Sequence, residues 1–186
     1  MDTSTPQRSA VSPLRLAKLF GIIVGGITLL AVLAVVGLAE WPLVTATVWH
    51  LRNGNAVELE GHSFHVPPLY HPEVSNGGKQ IDIMKDPRLF AGGASVTLES
   101  NPKTLDEDAI NRWQAALIAA IRNHRHDPPA PTPLTVRGKK LTFLCVDIGV
   151  GGESLVCHAV GTNLTVGTWA SPAHVQETRT ILETSE

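Results

Sequence analysis

The feature that most constrains this chain is an uncharged run from Leu19 to Ala39, in which Thr28 is the clearly polar residue. A helix of that length rises about 30 Å, which matches the hydrocarbon core of a bilayer. Lipid offers the backbone no hydrogen-bond partners, so a segment that crosses it has to be helical. Pro42 is then suited to end the helix. The sequence therefore predicts one transmembrane helix over residues 19–42.

The charges beside this run predict its orientation. Arg8, Arg15 and Lys18 precede it and Glu40 follows it. Positive residues stay on the cytoplasmic side, so we expect a cytoplasmic tail over residues 1–18 and a periplasmic or extracellular location for the rest of the chain. The protein is then a single-pass cell-membrane protein with a signal anchor.

Two further readings of the run concern cleavage and self-association. Gly37-Leu38-Ala39 offers small residues for a signal-peptide cleavage site, although the run is longer than the usual apolar core of a signal peptide. The domain leaves the cytoplasm in either case. Gly21 and Gly25 form a G-x-x-x-G pattern, which predicts a possible homodimer through this helix face.

The charge balance of the chain argues against one class of partner. The formal net charge is −2, and the exported part has no stripe of Lys and Arg. Nucleic-acid phosphates demand such clusters. We therefore expect no nucleic-acid partner.

The rest of the chain reads as an α+β domain over residues 56–186, preceded by a short helix or juxtamembrane linker over residues 43–55. Turn signals and apolar alternation predict a mainly antiparallel sheet with two helices. The predicted strands are 56–66, with Gly61 as a bulge or tight turn, then 80–84, 94–99, 134–136, 141–148, 154–161 and 164–170.

One helix is predicted from Leu105 to about His124. Thr104 and Glu107 fit a capping box at its start. Spacings of three and four residues then make an apolar stripe of Ile110, Trp113, Leu117 and Ile121. Ser171-Pro172 predicts the start of a second helix.

The hairpin over residues 141–161 carries the chain's two cysteines. Its first strand is apolar on both faces, so we expect both faces of the sheet to be covered. Cys145 and Cys157 lie symmetrically about the Gly149–Gly152 turn, and antiparallel pairing therefore places them opposite each other. Directly opposed residues are close enough for a disulfide, which suits an exported domain.

The short motif Phe64-x-Val66-Pro67, followed by strands, a helix, a long hairpin and a final helix, resembles the Mog1/PsbP-like α/β sandwich. The resemblance covers about residues 56–185. It implies a non-enzymatic accessory or assembly role, and it places no binding residue on this chain. The membrane anchor and the cysteine pair depart from the soluble members of that group.

The histidines are the best candidates for a metal site. His62, His65 and His71 lie within ten positions, and zinc needs three or four converging N, S or O ligands. If residues 61–66 are extended, His62 and His65 point to opposite faces, which works against convergence. Solvated or structural histidines are the alternative.

Other catalytic patterns are weak. Neither Ser95 nor Ser154 lies in a Gly-x-Ser-x-Gly elbow. Gly149–Gly152 joins two antiparallel strands, so we interpret it as a hairpin turn and not as a phosphate-binding loop. Paired carboxylates for acid–base chemistry are available at Asp82, Glu99, Asp147 and Glu153, and Asn163-Leu164-Thr165 fits a glycosylation sequon.

These observations favour a membrane-anchored extracytoplasmic binding or assembly domain, with a protein partner and without a cofactor or catalysis of its own. It could be a subunit of an envelope complex. The alternative is a small anchored hydrolase or metal-dependent enzyme that uses the region of His62, His65 and His71.

Overall fold

The computed structural model describes residues 13–39, 41–88, 92–124, 130–149 and 152–186. Arg8, Glu40 and the middle of the Gly149–Gly152 turn, all used in the predictions above, lie outside these residues. By contacts the chain divides into two compact units, residues 1–41 and 42–186.

The first unit contains helix α1, Pro13–Ala39. Its side chains are described at residues 22–35 and 37. The exposed large apolar side chains there occupy every side of the helix: Ile22, Ile23, Val24, Ile27, Leu29, Leu30, Val32, Leu33 and Val35. Counting only the described residues, no helix of the chain reaches the length and hydropathy that a membrane crossing needs. A methyl group added at Gly25 would contact nothing else in the chain.

Helix α2, Trp41–Asn53, occupies the segment for which a helix or a linker was predicted. Ala46 is fully buried and Trp49 packs against the core of the second unit. Asn53 closes the helix, because its side-chain amide donates to the Trp49 carbonyl oxygen over 3.0 Å. The segment is therefore part of the folded domain.

The second unit is an α+β domain whose antiparallel sheets confirm the predicted fold class. Its strands are β1 Ala56–Leu59, β2 His62–His65, β3 His71–Ser75, β4 Gln80–Arg88, β5 Gly92–Leu105, β6 Thr132–Arg137, β7 Thr142–Asp147, β8 Glu153–Ala159 and β9 Thr162–Ala170. Within the described residues, β1 and β2 form a hairpin and the other strands form one sheet in the order β3-β4-β5-β9-β8-β7-β6. Helices α3, Glu107–His124, and α4, Val175–Glu183, complete the domain.

Gly61 makes a tight turn and not a bulge. Glu60 and Gly61 have φ angles of 53° and 77°, the left-handed region that two-residue hairpin turns require. The turn divides the single strand predicted over residues 56–66 into β1 and β2. Strand β3, which the sequence pattern did not predict, follows this hairpin at the edge of the large sheet.

The core lies on one face of the large sheet, beneath α4 and the β1–β2 hairpin. Ile83, Val96 and Val166 contribute to it from the sheet, Phe64 from the hairpin, and Ile181 from α4, all fully buried. Alternate positions of β8 are buried, as expected for a strand that turns one face to a core. This layer positions the loops and helix ends that form the candidate site.

Helix α3 covers the opposite face beside β6 and β7. The Gln114 side-chain amide donates to the Cys145 carbonyl oxygen over 2.7 Å. The Trp113 and His158 rings pack edge to face, with their centroids 4.3 Å apart. Burial lowers the pKa of His158 below its ordinary value. Both faces of the β7–β8 hairpin are thus covered, as its apolar pattern predicts.

The predicted start of α3 was wrong by two residues. Strand β5 continues to Leu105, so Thr104 is extended and does not cap the helix. The cap is Asp106, whose Oδ1 accepts a hydrogen bond from the Ala109 backbone N–H at 2.7 Å. At α4, Pro172 opens a short 3-10 turn over Pro172–His174, and Ser171 makes no side-chain cap bond.

The predicted disulfide is confirmed. Cys145 and Cys157 are directly paired across β7 and β8, and their sulfur atoms lie 2.04 Å apart. Both cysteines are fully buried. The bridge therefore lies inside the domain core.

Candidate functional site: a lysine–glutamate cluster

Four polar side chains from distant parts of the chain meet at one end of the core layer. Tyr70 lies just before β3, Lys85 is on β4, His174 ends the 3-10 turn before α4, and Glu177 lies in the first turn of α4. Lys85 shares the core face of β4 with Ile83, because residues two apart on a strand point the same way. We call these four residues the Lys85 cluster.

The geometry of the Lys85 cluster centres on the carboxylate of Glu177. The Lys85 ammonium donates to Glu177 Oε1 at 3.1 Å and to Oε2 at 2.8 Å. The Tyr70 hydroxyl donates to Oε2 at 2.8 Å. His174 Nδ1 lies 3.2 Å from Lys85 Nζ and 3.3 Å from Glu177 Oε2. Lys85 Nζ also lies 5.6 Å from the centre of the Tyr70 ring, within cation–π range.

The electrostatics of the cluster follow from burial and pairing. Burial raises the pKa of the Tyr70 hydroxyl, and the hydrogen bond to Glu177 and the charge of Glu177 raise it further. Burial alone would raise the pKa of Glu177. The hydrogen bonds from Lys85 and Tyr70 and the charges of Lys85 and His174 outweigh that effect, so this pKa lies below its ordinary value. The folded domain therefore favours a neutral tyrosine beside an ionised glutamate.

A cavity of about 260 Å³ adjoins the cluster. Its walls are Pro67, Pro68, Leu69, Tyr70, Lys85 and Glu177. The Glu177 side chain is partly open to solvent, whereas the Lys85 side chain is almost enclosed. The cavity has room for a small, largely apolar group, which would contact the charged side chains of Lys85 and Glu177 on one side. The donors and acceptors described above are engaged with one another, an arrangement that fastens α4 to β4.

The structure does not bring the three candidate histidines together as a metal site. His62 and His65 lie at the two ends of β2, where His65 is exposed, and His71 is buried at the start of β3. Nε2 of His71 lies 3.7 Å from Oε1 of Glu73. Among the residues that the structure describes, no three His, Cys, Asp or Glu side chains are arranged to hold a metal ion.

The candidate carboxylates lie in two pairs. Asp82 and Glu99 share one face of the adjacent strands β4 and β5, and Asp147 and Glu153 both act on the charge of Arg179. Thr97 and Gln80 donate to Asp82, and the Gly149 backbone N–H donates to Asp147. Glu153 is buried, and its Oε1 accepts hydrogen bonds from Arg179 on α4. Glu99 is exposed on β5, where it pairs with Gln80.

Asn163, the residue of the possible sequon, lies near the start of β9, and its side-chain amide donates to Ser100 Oγ at 3.2 Å. Ser95 and Ser154 lie on β5 and β8, each opposite Trp169 of β9. This placement puts both serines and Trp169 on one face of the sheet.

Sequence reasoning missed the Lys85 cluster because its members are far apart in the chain. The Lys85–Glu177 pair joins residues separated by 92 positions, and no local spacing links them. The usable signal was indirect. Lys85 directly follows the predicted strand 80–84, at the alternation of Ile81 and Ile83, and a lysine that continues an apolar face into a core needs a partner of opposite charge.

Comparison with known proteins adds no relative. No protein-family model, characterised protein or solved structure matches this chain. The resemblance to the Mog1/PsbP-like sandwich therefore stays a prediction from the sequence.

Proposed function

We propose that the protein is a membrane-anchored, extracytoplasmic binding or assembly domain without catalysis of its own. The observation that carries the proposal is the exposure of large apolar side chains on every side of α1. A helix that is apolar all round is stable in a core or in a membrane, and water is an unfavourable surrounding for it. The uncharged run over residues 19–39 extends beyond the described side chains of α1 at both ends, to the length of a bilayer crossing.

The disulfide supports an exported location for the domain. Disulfides form and persist in oxidising compartments and are rare in the cytosol. Together with the positive residues Arg15 and Lys18 before the run, the bridge favours a cytoplasmic tail and an external domain. The cell membrane is the proposed location.

A thiol-labelling experiment tests this topology. The native cysteines are bonded to each other, so an introduced cysteine supplies the free thiol of the chain. Val74→Cys places it at an exposed position of the edge strand β3, and Ser9→Cys places it in the proposed cytoplasmic tail. A membrane-impermeant maleimide added to intact cells is expected to label Val74→Cys, and to label Ser9→Cys after lysis alone.

Labelling with the two positions exchanged would contradict the proposed orientation. Release of the protein from membranes by alkaline carbonate would contradict the anchor.

The proposed binding role rests on the sheet face that carries Trp169. This side chain is 46% exposed beside Ser95 and Ser154, and the aromatic residues of a protein surface are enriched at protein interfaces. The partner that this surface suits is a protein, because Trp169 lies beside the uncharged side chains of Ser95 and Ser154, and Met84 lies opposite Ser95 on the same face.

Purification from the native membrane tests the binding role. Trp169→Ala is expected to remove a protein that co-purifies stoichiometrically with the unaltered chain, because the substitution deletes the largest exposed side chain of this face. Val74→Ala, an exposed substitution on β3, is the matched control and should retain the partner. A partner that survives both substitutions would contradict this surface, and a chain that purifies alone would contradict the binding role.

A further inference from the structure

Helix α2 has two apolar faces on opposite sides. Ala46 and Trp49 point into the domain. At 3.6 residues per turn, Val44, Val48 and Leu51 fall on the other side, and they are 47%, 41% and 82% exposed. A surface helix of a water-surrounded domain normally carries polar residues on that side. The outer face of α2 therefore has an apolar surface that the second unit leaves uncovered.

This apolar surface continues beyond α2 into the loop after β2. Leu51 lines a shallow cavity of about 380 Å³ together with Thr47, His50, Asn55 and Pro68. Pro68 also lines the cavity beside Leu69, whose side chain is 42% exposed. We call Val44, Val48, Leu51, Pro68 and Leu69 the α2 patch.

The charge of α2 matches one kind of surface. The helix contains no acidic residue, and Arg52 is its one arginine or lysine. Arg52 is exposed and follows Leu51 directly. An apolar helix face that carries a cation and no acidic residue suits the boundary between acyl chains and anionic lipid headgroups.

The chain also limits how far the α2 patch can be from the proposed anchor. Val44 follows Ala39 by five residues, and five residues span at most about 18 Å even when fully extended. If α1 crosses the bilayer, the start of the patch lies within reach of the lipid headgroups. From these observations we propose that the α2 patch rests on the membrane surface and holds the domain against the bilayer. This inference depends on the anchor in the proposed function.

Spin labels on the full chain test this contact. Single labels at Leu51→Cys, Leu30→Cys and Val74→Cys report on the α2 patch, the anchor and a strand outside the patch, and all three positions are exposed within the protein. The chain is placed in nanodiscs of phosphatidylcholine with phosphatidylglycerol. Collision of each label with oxygen, which concentrates in lipid, is compared with collision with a water-soluble nickel chelate.

The oxygen-to-nickel ratio at Leu51→Cys is expected to lie between the values at Leu30→Cys and Val74→Cys, and Val48→Cys should repeat the result. A Leu51→Cys ratio equal to that of Val74→Cys would overturn the membrane contact and leave the anchor standing. If the Leu51→Cys label is protected from both oxygen and the nickel chelate, and if its spectrum shows dipolar broadening from a second label, the patch contacts a second copy of the chain. That result would also overturn the membrane contact. A water-like ratio at Leu30→Cys would remove the anchor, and the proposed function with it.

Discussion

Replacing Phe64 by alanine is expected to lower the free energy of unfolding by about 3–5 kcal/mol, the range for truncating a large aromatic side chain in a core. Phe64 is fully buried, and together with Leu59 it joins the β1–β2 hairpin to the core that Ile181 and Leu182 of α4 also form. The loss has two parts: the free energy gained by burying the ring away from water is no longer available, and an empty cavity remains beneath α4. Urea unfolding of the full chain in detergent micelles, followed by tryptophan fluorescence, measures it.

His65→Ala provides the matched control, because His65 is the next residue on β2 and its side chain is exposed. Its expected change is within about 0.5 kcal/mol, as for most surface substitutions. Equal unfolding midpoints for the two variants would show that the hairpin contributes little to the core.

Removing the disulfide is expected to cost about 2–3 kcal/mol. The bridge joins residues 12 positions apart, a short loop for which the chain-entropy model gives about 3 kcal/mol. The hairpin pairing already restrains that loop, so the measured value should be no larger. Cys145→Ala combined with Cys157→Ala avoids burying hydroxyl groups in a site where both residues are fully enclosed.

Comparison with and without reductant supplies the control for this variant. Reductant should lower the unfolding midpoint of the native sequence toward that of the double variant, and it should leave the double variant unchanged. Two free thiols per chain in the denatured, unreduced protein would contradict the bridge.

The elements that the sequence predicted well are those specified by local patterns. The stripe of Ile110, Trp113, Leu117 and Ile121 placed α3 and its sheet-facing side, because residues three and four apart share a helix face. The cysteine register followed from hairpin symmetry alone. Both inferences needed no knowledge of distant parts of the chain.

The elements that the sequence missed depend on tertiary context. Strand β3 contains Pro72 and the exposed residues Glu73 and Val74, so it lacks the apolar alternation of a covered strand. It forms because its backbone pairs with the free edge of β4. The end of β5 was placed too early for a similar reason, since Leu105 pairs with Thr162 of β9 beyond an irregularity in the ladder.

The candidate site was the least predictable part of the molecule. A buried lysine needs a carboxylate, but the sequence offers many, and the choice of Glu177 depends on where α4 packs. Local sequence patterns carry no information on which carboxylate the folded chain brings to Lys85.

The strand order has a consequence for how the chain folds as it is synthesised. Strands β3-β4-β5 and β6-β7-β8-β9 are two meanders of sequential hairpins, and they join at one long-range pairing, β5 with β9. Local hairpins close quickly, whereas the β5–β9 pairs join residues 57 to 76 positions apart and must first overcome the entropy of a large loop. As the chain emerges with its N-terminal half first, the long strand β5 has an open edge until β9 arrives. Premature association with another chain is the characteristic hazard of such an edge, so the interval between these two strands is where a chaperone would be of most use.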